Sequence, residues 1–182
     1  ISGTYGHGVE VWNGSPVVQD NAFSNLRDAS YVVALDTVDS YPVMSGNALT
    51  GTGTPGVYSP GGTTTNGGTW NLPGPGLNWY LNASLSVPAG KTHTVEPGNT
   101  VYMPVGNAGI YVEGTLNASG TAATPVTFTS RAAAKAAGDW NGVYLAPTAG
   151  ASSLANARIL YAGGLGSCYY GCRGLGTYNG AV

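Results

Sequence analysis

The sequence is short of charge and of long apolar runs. Only 8% of its 182 residues are charged, six basic and eight acidic, and the formal net charge is −2. Binding to nucleic acid or to an anionic membrane surface requires clustered Lys and Arg, which this composition does not provide. No run of about 18 apolar residues occurs, so no membrane span is expected. We therefore predict neither nucleic acid nor a membrane as a partner.

Metal-ligand patterns are missing as well. The two histidines, His7 and His93, stand alone in Gly- or Thr-rich surroundings. A metal site requires paired His, Cys or carboxylate ligands at suitable spacing. We therefore predict that both histidines lie at the surface and that the chain holds no metal and no other cofactor.

Carboxylates that could support catalysis are few. An enzyme that cleaves acidic polysaccharide needs two or three of them converging on one face, or Asp-bound calcium with an Arg or Lys base. Asp36 and Asp39 are the best candidates, with Asp20 and Asp28 upstream. No basic residue lies close to the first pair in the sequence and there is no second acidic cluster. A polar turn is therefore favoured over a catalytic site, and we predict no enzymatic activity.

Cysteine is scarce, with Cys168 and Cys172 flanking Tyr-Tyr-Gly in a Gly-rich segment. A thioredoxin-like redox pair has a shorter spacing and lies on a helix. A small disulfide that staples an exposed loop is the favoured interpretation, while free or intermolecular cysteines remain open. Together with the low charge and abundant Thr, Asn and Tyr, these cysteines suggest an extracellular or cell-surface location.

Turn-forming and strand-forming residues dominate what is present. Thirty Gly and eleven Pro interrupt the chain constantly, and Val, Tyr and Thr fill the short runs between them. Such a composition is typical of all-β structure.

The short runs recur at regular intervals. Gly109–Val112 and Gly142–Leu145 share the order Gly, apolar, Tyr, apolar, and Leu85 stands one interval before Ile110. A second column aligns Val101 with Val126 and Val126 with Ile159, and its two intervals equal those of the first column. In the first half, Val9, Val32 and Val57 follow one another at nearly equal intervals.

A steady period in the range of roughly 20–45 residues predicts a solenoid whose coils bury their apolar faces by stacking. A β-sandwich also has short strands between turns, but it does not require two columns to keep one offset. The interval from Ile110 to Val143 is longer than the one before it. Its extra length falls at about residues 130–137, an Ala-rich insert that could form one helical turn.

These segments resemble bacterial right-handed parallel β-helix proteins of the secreted and cell-surface type. The resemblance is carried by LSVPAG at 85–90, VEPG at 95–98, VEGTL at 112–116, PVTFTS at 125–130, GDWNGV at 138–143 and ILYAG at 159–163. It implies an all-β, right-handed parallel β-helix forming a single elongated domain over residues 1–182. It implies little about chemistry, because such coils occur in adhesins, surface-array proteins and polysaccharide-degrading enzymes alike.

Side-chain alternation along a strand gives each residue of the first column a direction. We predict that Ile110, Val112, Val143 and Leu145 point into the core, and that Tyr111 and Tyr144 form an exterior ladder at about the 4.8 Å strand spacing.

Two sites match the acceptor pattern for N-linked glycosylation. They are Asn82, in Asn-Ala-Ser, and Asn117, in a second Asn-Ala-Ser. Short patterns of this kind also arise by chance, so the sequence alone does not decide modification.

The favoured function is that of an extracellular structural protein that associates head to tail into a fibre or surface array. No capping helix or charged segment is seen at either end, and Ala181 and Val182 followed by Ile1 and Ser2 read as one short apolar strand. Alternatively, the 182 residues are one repeat of a longer chain. A second hypothesis is a glycan- or surface-binding adhesin module that uses the twelve Tyr and four Trp. A polysaccharide-cleaving enzyme is the least favoured.

Overall fold

The computed structural model describes residues 1–3 and 6–164, together with the backbone of residues 175–177. Within these ranges the chain forms short β-strands and no helix. The strands are β1 (Val9–Val11), β2 (Val17–Gln19), β3 (Ala22–Ser24), β4 (Tyr31–Leu35), β5 (Val43–Ser45), β6 (Ala48–Thr50), β7 (Thr54–Ser59), β8 (Gly62–Thr63), β9 (Gly68–Trp70), β10 (Asn78–Leu81), β11 (Leu85–Val87), β12 (Thr92–Val95), β13 (Thr100–Met103), β14 (Gly109–Val112), β15 (Thr115–Asn117), β16 (Val126–Ser130), β17 (Gly142–Leu145), β18 (Ala157–Ile159) and β19 (Leu175–Thr177).

The strands stack in parallel into long sheets. The longest has seven strands in the order β1-β4-β7-β10-β13-β16-β18, and a five-stranded sheet has the order β19-β17-β14-β11-β8. Shorter sheets are β15-β12-β9, β2-β5 and β3-β6. Val9 pairs with Val33 and Val33 with Val57, so the chain returns to the same sheet after each coil. The predicted parallel β-helix is confirmed.

The core is built from rows of apolar side chains, one from each coil. In the seven-stranded sheet, the inward row includes Val33, Val57, Trp79, Val101 and Phe128, each at most 1% exposed. Alternation along each strand sends these side chains inward and their neighbours outward. Each coil therefore buries its apolar face against the coils above and below it. In the part of the chain that the structure describes, no helix is long and apolar enough to cross a membrane.

Buried asparagines satisfy backbone groups where the chain turns between sheets. Asn47 is 1% exposed, and its Nδ2 donates to the carbonyl oxygens of Val18 at 2.7 Å and Pro73 at 2.9 Å. Its Oδ1 accepts hydrogen bonds from the backbone and side chain of Asn21, one coil earlier. Leaving these buried carbonyls without donors would cost about 1–3 kcal/mol each, so the asparagine fixes the corner.

Two details of the sequence alignment are wrong. The sequence paired Val101 with Val126 and Val126 with Ile159, whereas Val101 lies opposite Phe128 and Phe128 opposite Ile159. Val126 and Phe128 are two positions apart on the strand, so both side chains point to the same face of the sheet. The error therefore changes the partner of Val101 but not the face on which the row lies.

The Ala-rich insert at residues 130–137 contains no helical turn. A segment of this length is too short to be a stable helix without packing partners. It forms an exposed bend, in which Lys135 Nζ donates to the Ala132 carbonyl oxygen and Asp139 accepts the Ala136 amide.

His93 occupies a core position, so its predicted surface location is wrong. It lies in β12 opposite Leu116 and is fully buried, with its ring 4.4 Å from the Trp70 ring and 6.0 Å from the Tyr41 ring. Neither ring nitrogen has a hydrogen-bond partner. Burial lowers the pKa of His93 to about 3, because nothing compensates the charged form for the loss of water.

The burial of His93 predicts that the protein loses stability as the pH falls. In the unfolded chain His93 takes up a proton below about pH 6.5, whereas the folded protein keeps it neutral down to its lowered pKa. Its contribution to stability is therefore complete above the unfolded value and is lost as the pH falls towards the folded value. Between pH 7 and pH 4.5 we expect the free energy of unfolding of the wild type to fall by roughly 2 kcal/mol more than that of His93→Leu. Urea unfolding at the two pH values measures this difference, and equal losses in the two proteins would contradict it.

Candidate functional site

A row of outward-facing side chains crosses the seven-stranded sheet. Register places Glu10 beside Ala34, Ala34 beside Tyr58, Tyr58 beside Tyr80, and Tyr80 beside Tyr102. The row therefore runs from an acidic residue, across one small residue, to three tyrosines on consecutive coils.

The three tyrosines form a ladder that a fourth ring, Tyr31, joins. The Tyr80 and Tyr102 rings are stacked 4.8 Å apart at 16°. The Tyr31 ring is tilted against its neighbours, 5.4 Å from Tyr58 at 47° and 5.3 Å from Tyr80 at 58°. Tyr31 and Tyr80 belong to β4 and β10, so their rings meet above β7, where Gly56 has no side chain. Burial and the neighbouring phenols of Tyr102 and Tyr31 raise the pKa of Tyr80 to about 12, so its hydroxyl group stays protonated.

The rings of this ladder are partly exposed. At the Tyr102 end, Lys135 Nζ lies 5.6 Å from the ring centre. At the other end the next residue in the row is Ala34, whose methyl group leaves a gap of two strand spacings, about 10 Å, between the Glu10 and Tyr58 positions. The ladder therefore opens at Ala34.

The gap is part of a surface depression that we call the notch. It has a volume of about 200 Å³ and is lined by His7, Glu10, Trp12, Ala34, Leu35, Asp36 and Tyr58. Aromatic, acidic and imidazole side chains converge there over an apolar floor, an arrangement common in small-molecule sites.

Trp12 is the most exposed large apolar side chain of the described residues, at 75%. It directly follows β1 and precedes a turn in which Asn13 adopts a positive φ of 48°. The Asn13 amide donates to Asp36 Oδ1 at 2.8 Å, and the Gly14 amide donates to Ser40 Oγ at 3.4 Å. The next coil therefore holds the turn that presents Trp12 to solvent.

The polar side chains of the notch differ in the hydrogen bonds that they already make within the protein. His7 Nδ1 accepts the Tyr31 backbone amide at 2.9 Å. Asp36 Oδ1 accepts the Asn13 amide and the Ser40 hydroxyl. Glu10 is exposed and has no hydrogen-bond or ion-pair partner within the described ranges. Among these three, Glu10 is the one with no atom already engaged in a hydrogen bond.

Four aspartates were singled out in the sequence as candidate catalytic residues. Of these, Asp36 lines the notch, whereas Asp20, Asp28 and Asp39 do not. Glu10 was missed, because it lies in a short strand between two valines. The signal that identifies it is the coil register, which aligns it with Ala34 and Tyr58.

Asp39 serves a structural purpose. Its oxygens accept hydrogen bonds from the hydroxyl groups of Thr64 and Thr65 at 2.7 and 2.6 Å, and from the amides of Thr65 and Asn66. Burial acts to raise the pKa of Asp39, but these hydrogen bonds outweigh it and hold the pKa below its usual value. The carboxylate fastens one turn to the turn of the next coil.

The Tyr111 and Tyr144 rings lie on the five-stranded sheet, away from the notch. They are stacked 5.3 Å apart at 13°, and both hydroxyl groups bond to Asn141. Ile110, Val112 and Val143 are buried beneath them, and Leu145 is half-buried against the core. The faces of this pair are turned towards each other, which suits cross-strand stabilisation.

The two predicted glycosylation sites differ in exposure. Asn82 is exposed and directly follows β10, whereas Asn117 is half-buried within β15, opposite Thr94. Glycosylation of either site stays a prediction.

The remaining predicted residues fall near the ends of the chain. The Ile1 amino group donates to the Ala22 carbonyl oxygen at 3.1 Å, and Ser2 bridges Ser24 in parallel, so this segment covers the edge of β3. Cys168, Cys172, Ala181 and Val182 lie outside the described residues. No group of three or more potential metal ligands occurs among the residues that the structure describes.

Comparison with known families agrees with the fold. A family model described as a pectate-lyase-like β-helix domain matches residues 64–172. No curated protein and no solved structure matches the chain. The notch residues all lie before the matched range, whereas Tyr80, Tyr102 and Lys135 lie within it.

The Tyr ladder predicts an unusual sensitivity at Gly56. A Cβ atom there would lie 2.7 Å from Tyr80 Cε2 and would also collide with the Asn78 carbonyl oxygen. We expect Gly56→Ala to lower the free energy of unfolding by at least about 1–3 kcal/mol, the usual cost of overpacking. Gly150→Ala is the matched control, because no atom lies within 4 Å of its added Cβ. Urea unfolding of the two variants compares them, and equal stability would contradict the tight approach at Gly56.

Proposed function

We propose that this chain, which belongs to the pectate-lyase-like β-helix family, is an extracellular module that binds glycans at the notch without cleaving them. The observation that carries the proposal is Trp12, which is 75% exposed beside a depression that Tyr58 also lines. Trp12 is held on an anchored turn and lines the same depression as a second aromatic residue, Tyr58, so its exposure supports a binding surface.

Sugar recognition combines apolar contact with hydrogen bonding. A pyranose ring has apolar C–H faces that pack on aromatic rings, and its hydroxyl groups need donors and acceptors around its edge. The notch offers the rings of Trp12 and Tyr58 together with the carboxylate of Glu10. Because the turn carrying Trp12 is held by Asp36 and Ser40, less ordering is required when a ligand binds.

A second groove on the same sheet extends the surface available to a glycan chain. Thr100, Thr127 and Arg158 align on successive coils, and they line this groove together with Asn78. Thr100 precedes Tyr102 by one alternation along β13, so the two rows face the same side. A glycan that occupies the notch can continue across this polar strip.

The absence of cleavage is part of the proposal. Asp36 holds the turn that follows Trp12 through Oδ1, and Asp39 holds a turn through both oxygens, which favours structural roles for both. Glu10 then remains as a single uncommitted carboxylate in the notch, whereas glycoside hydrolysis ordinarily uses a pair.

Trp12→Ala provides the central test. Because Trp12 is mostly exposed, we expect its removal to leave the unfolding free energy within about 0.5 kcal/mol of wild type. Affinity for glycan should fall by about tenfold or more, or ~1.4 kcal/mol. Val17→Ala is the matched control, an exposed apolar residue that does not line the notch.

Calorimetry against a panel of neutral, acidic and amino-sugar oligomers measures the affinity. If no oligomer binds, or if Trp12→Ala and Val17→Ala bind equally well, glycan binding at the notch is wrong. Release of new reducing or unsaturated ends from any oligomer would instead show an enzyme.

A structural role through head-to-tail association is the second candidate. The observation that favours it is the position of β1 at the edge of the seven-stranded sheet, where its only strand neighbour among the described residues is β4. An open parallel edge accepts a further strand, and a contact between unlike ends propagates.

This candidate predicts concentration-dependent growth. Wild-type protein should form longer particles as its concentration rises, and combined replacement of Ile1 and Val182 by Lys should shorten them through like-charge repulsion. Ile1 is 54% exposed, so Lys fits there without disturbing its backbone pairing. Sedimentation and electron microscopy measure particle length. A wild-type monomer at all concentrations would exclude the assembly.

A further inference from the structure

We infer that the notch selects a sugar unit that carries a protonated amine. This inference rests on the proposed glycan-binding function and adds the chemical class of the sugar. It follows from the charges in the notch, from the freedom of one carboxylate, and from the aromatic rings beside that carboxylate.

The charged groups of the notch are acidic. Among the described residues, its lining includes Glu10 and Asp36 and contains no Lys or Arg. His7 already uses Nδ1 to accept the Tyr31 backbone amide. A ligand with a carboxylate would meet repulsion here, whereas a cation would be attracted.

Two positively charged side chains lie farther along the sheet. Lys135 covers the Tyr102 ring at the opposite end of the Tyr row. Arg158 lines the polar groove, several coils away from β1 and β4. The face is therefore divided, and its acidic part coincides with its most exposed aromatic side chain.

Glu10 is the carboxylate of the notch that has both oxygens open to a ligand cation. Asp36 already accepts hydrogen bonds from Asn13 and Ser40 through Oδ1, whereas Glu10 has no partner among the described residues. A primary ammonium group is compact and carries three donors, so it can bind Glu10 and still bond to a second acceptor.

The aromatic side chains strengthen the same preference. Trp12 and Tyr58 line the depression with Glu10, and the face of an aromatic ring attracts a cation. A neutral sugar can pack on these rings but makes no ion pair. An acidic sugar packs on them against the repulsion of two carboxylates. Among sugars of equal size, the amine-bearing one therefore combines the most favourable contacts.

The experiment compares four oligomers of equal length on the intact chain. They are a glucosamine oligomer, its fully N-acetylated counterpart, a neutral glucan and an oligogalacturonate. N-acetylation removes the positive charge while keeping the sugar backbone. Calorimetry at low salt and at a mildly acidic pH, at which the sugar amines are protonated, should show the glucosamine oligomer binding about five- to tenfold more tightly than its acetylated form, with the difference shrinking as salt is added.

Glu10→Gln tests the assigned residue. The amide keeps the size and the oxygen acceptor but removes the charge, so the preference for the amine should fall to about twofold or less while affinity for the acetylated oligomer changes little. Glu113→Gln is the matched control, because Glu113 is an exposed carboxylate beside Tyr111 in a different depression. It should leave the preference unchanged.

The outcomes separate this inference from the function on which it rests. If the acetylated or neutral oligomer binds as tightly as the glucosamine oligomer, amine selection is wrong and glycan binding stands. Tighter binding of oligogalacturonate, or a preference that survives in Glu10→Gln, also overturns it. If none of the four binds and the wider panel fails as well, the proposed function itself is wrong.

Discussion

Parallel pairing in register is the constraint on which the rest of this structure depends. It places every side chain about 4.8 Å from its counterparts on the coils above and below, so neighbours along a row matter more than neighbours along the chain. Inside, the rule yields continuous apolar rows such as Val57, Trp79 and Val101. Outside, it aligns Tyr58 with Tyr80 and Tyr102 into a ladder. A single substitution therefore changes one position in a row of side chains and leaves the path of the coil intact.

The informative positions are those where a row is broken. Gly56 removes a side chain so that two Tyr rings can meet above its strand, and Ala34 ends the ladder and opens the notch. His93 breaks an inward row by placing an imidazole without hydrogen-bond partners against Trp70. The first two breaks shape the surface, whereas the third makes the core sensitive to acid.

The repeating pattern predicted the coils because inward rows require apolar residues at a steady spacing. The same pattern misjudged the register near Val101, taking Val126 for its partner in place of Phe128, since coils of unequal length allow several apolar alignments. It also misplaced His93. A polar side chain is expected at the surface, and only the pairing between coils shows that His93 lies in an inward row. The notch escaped prediction because Glu10, Trp12 and Tyr58 come from different coils and converge only through pairing.

The notch lies outside the part of the chain that carries the family match, which covers residues 64–172. The notch residues, from His7 to Tyr58, all precede that range. Glu10 and Trp12 are exposed there, whereas Leu35, which also lines the notch, belongs to the core. The ligand that we propose follows from positions such as Glu10 and Ala34, whose chemistry the coil geometry leaves open.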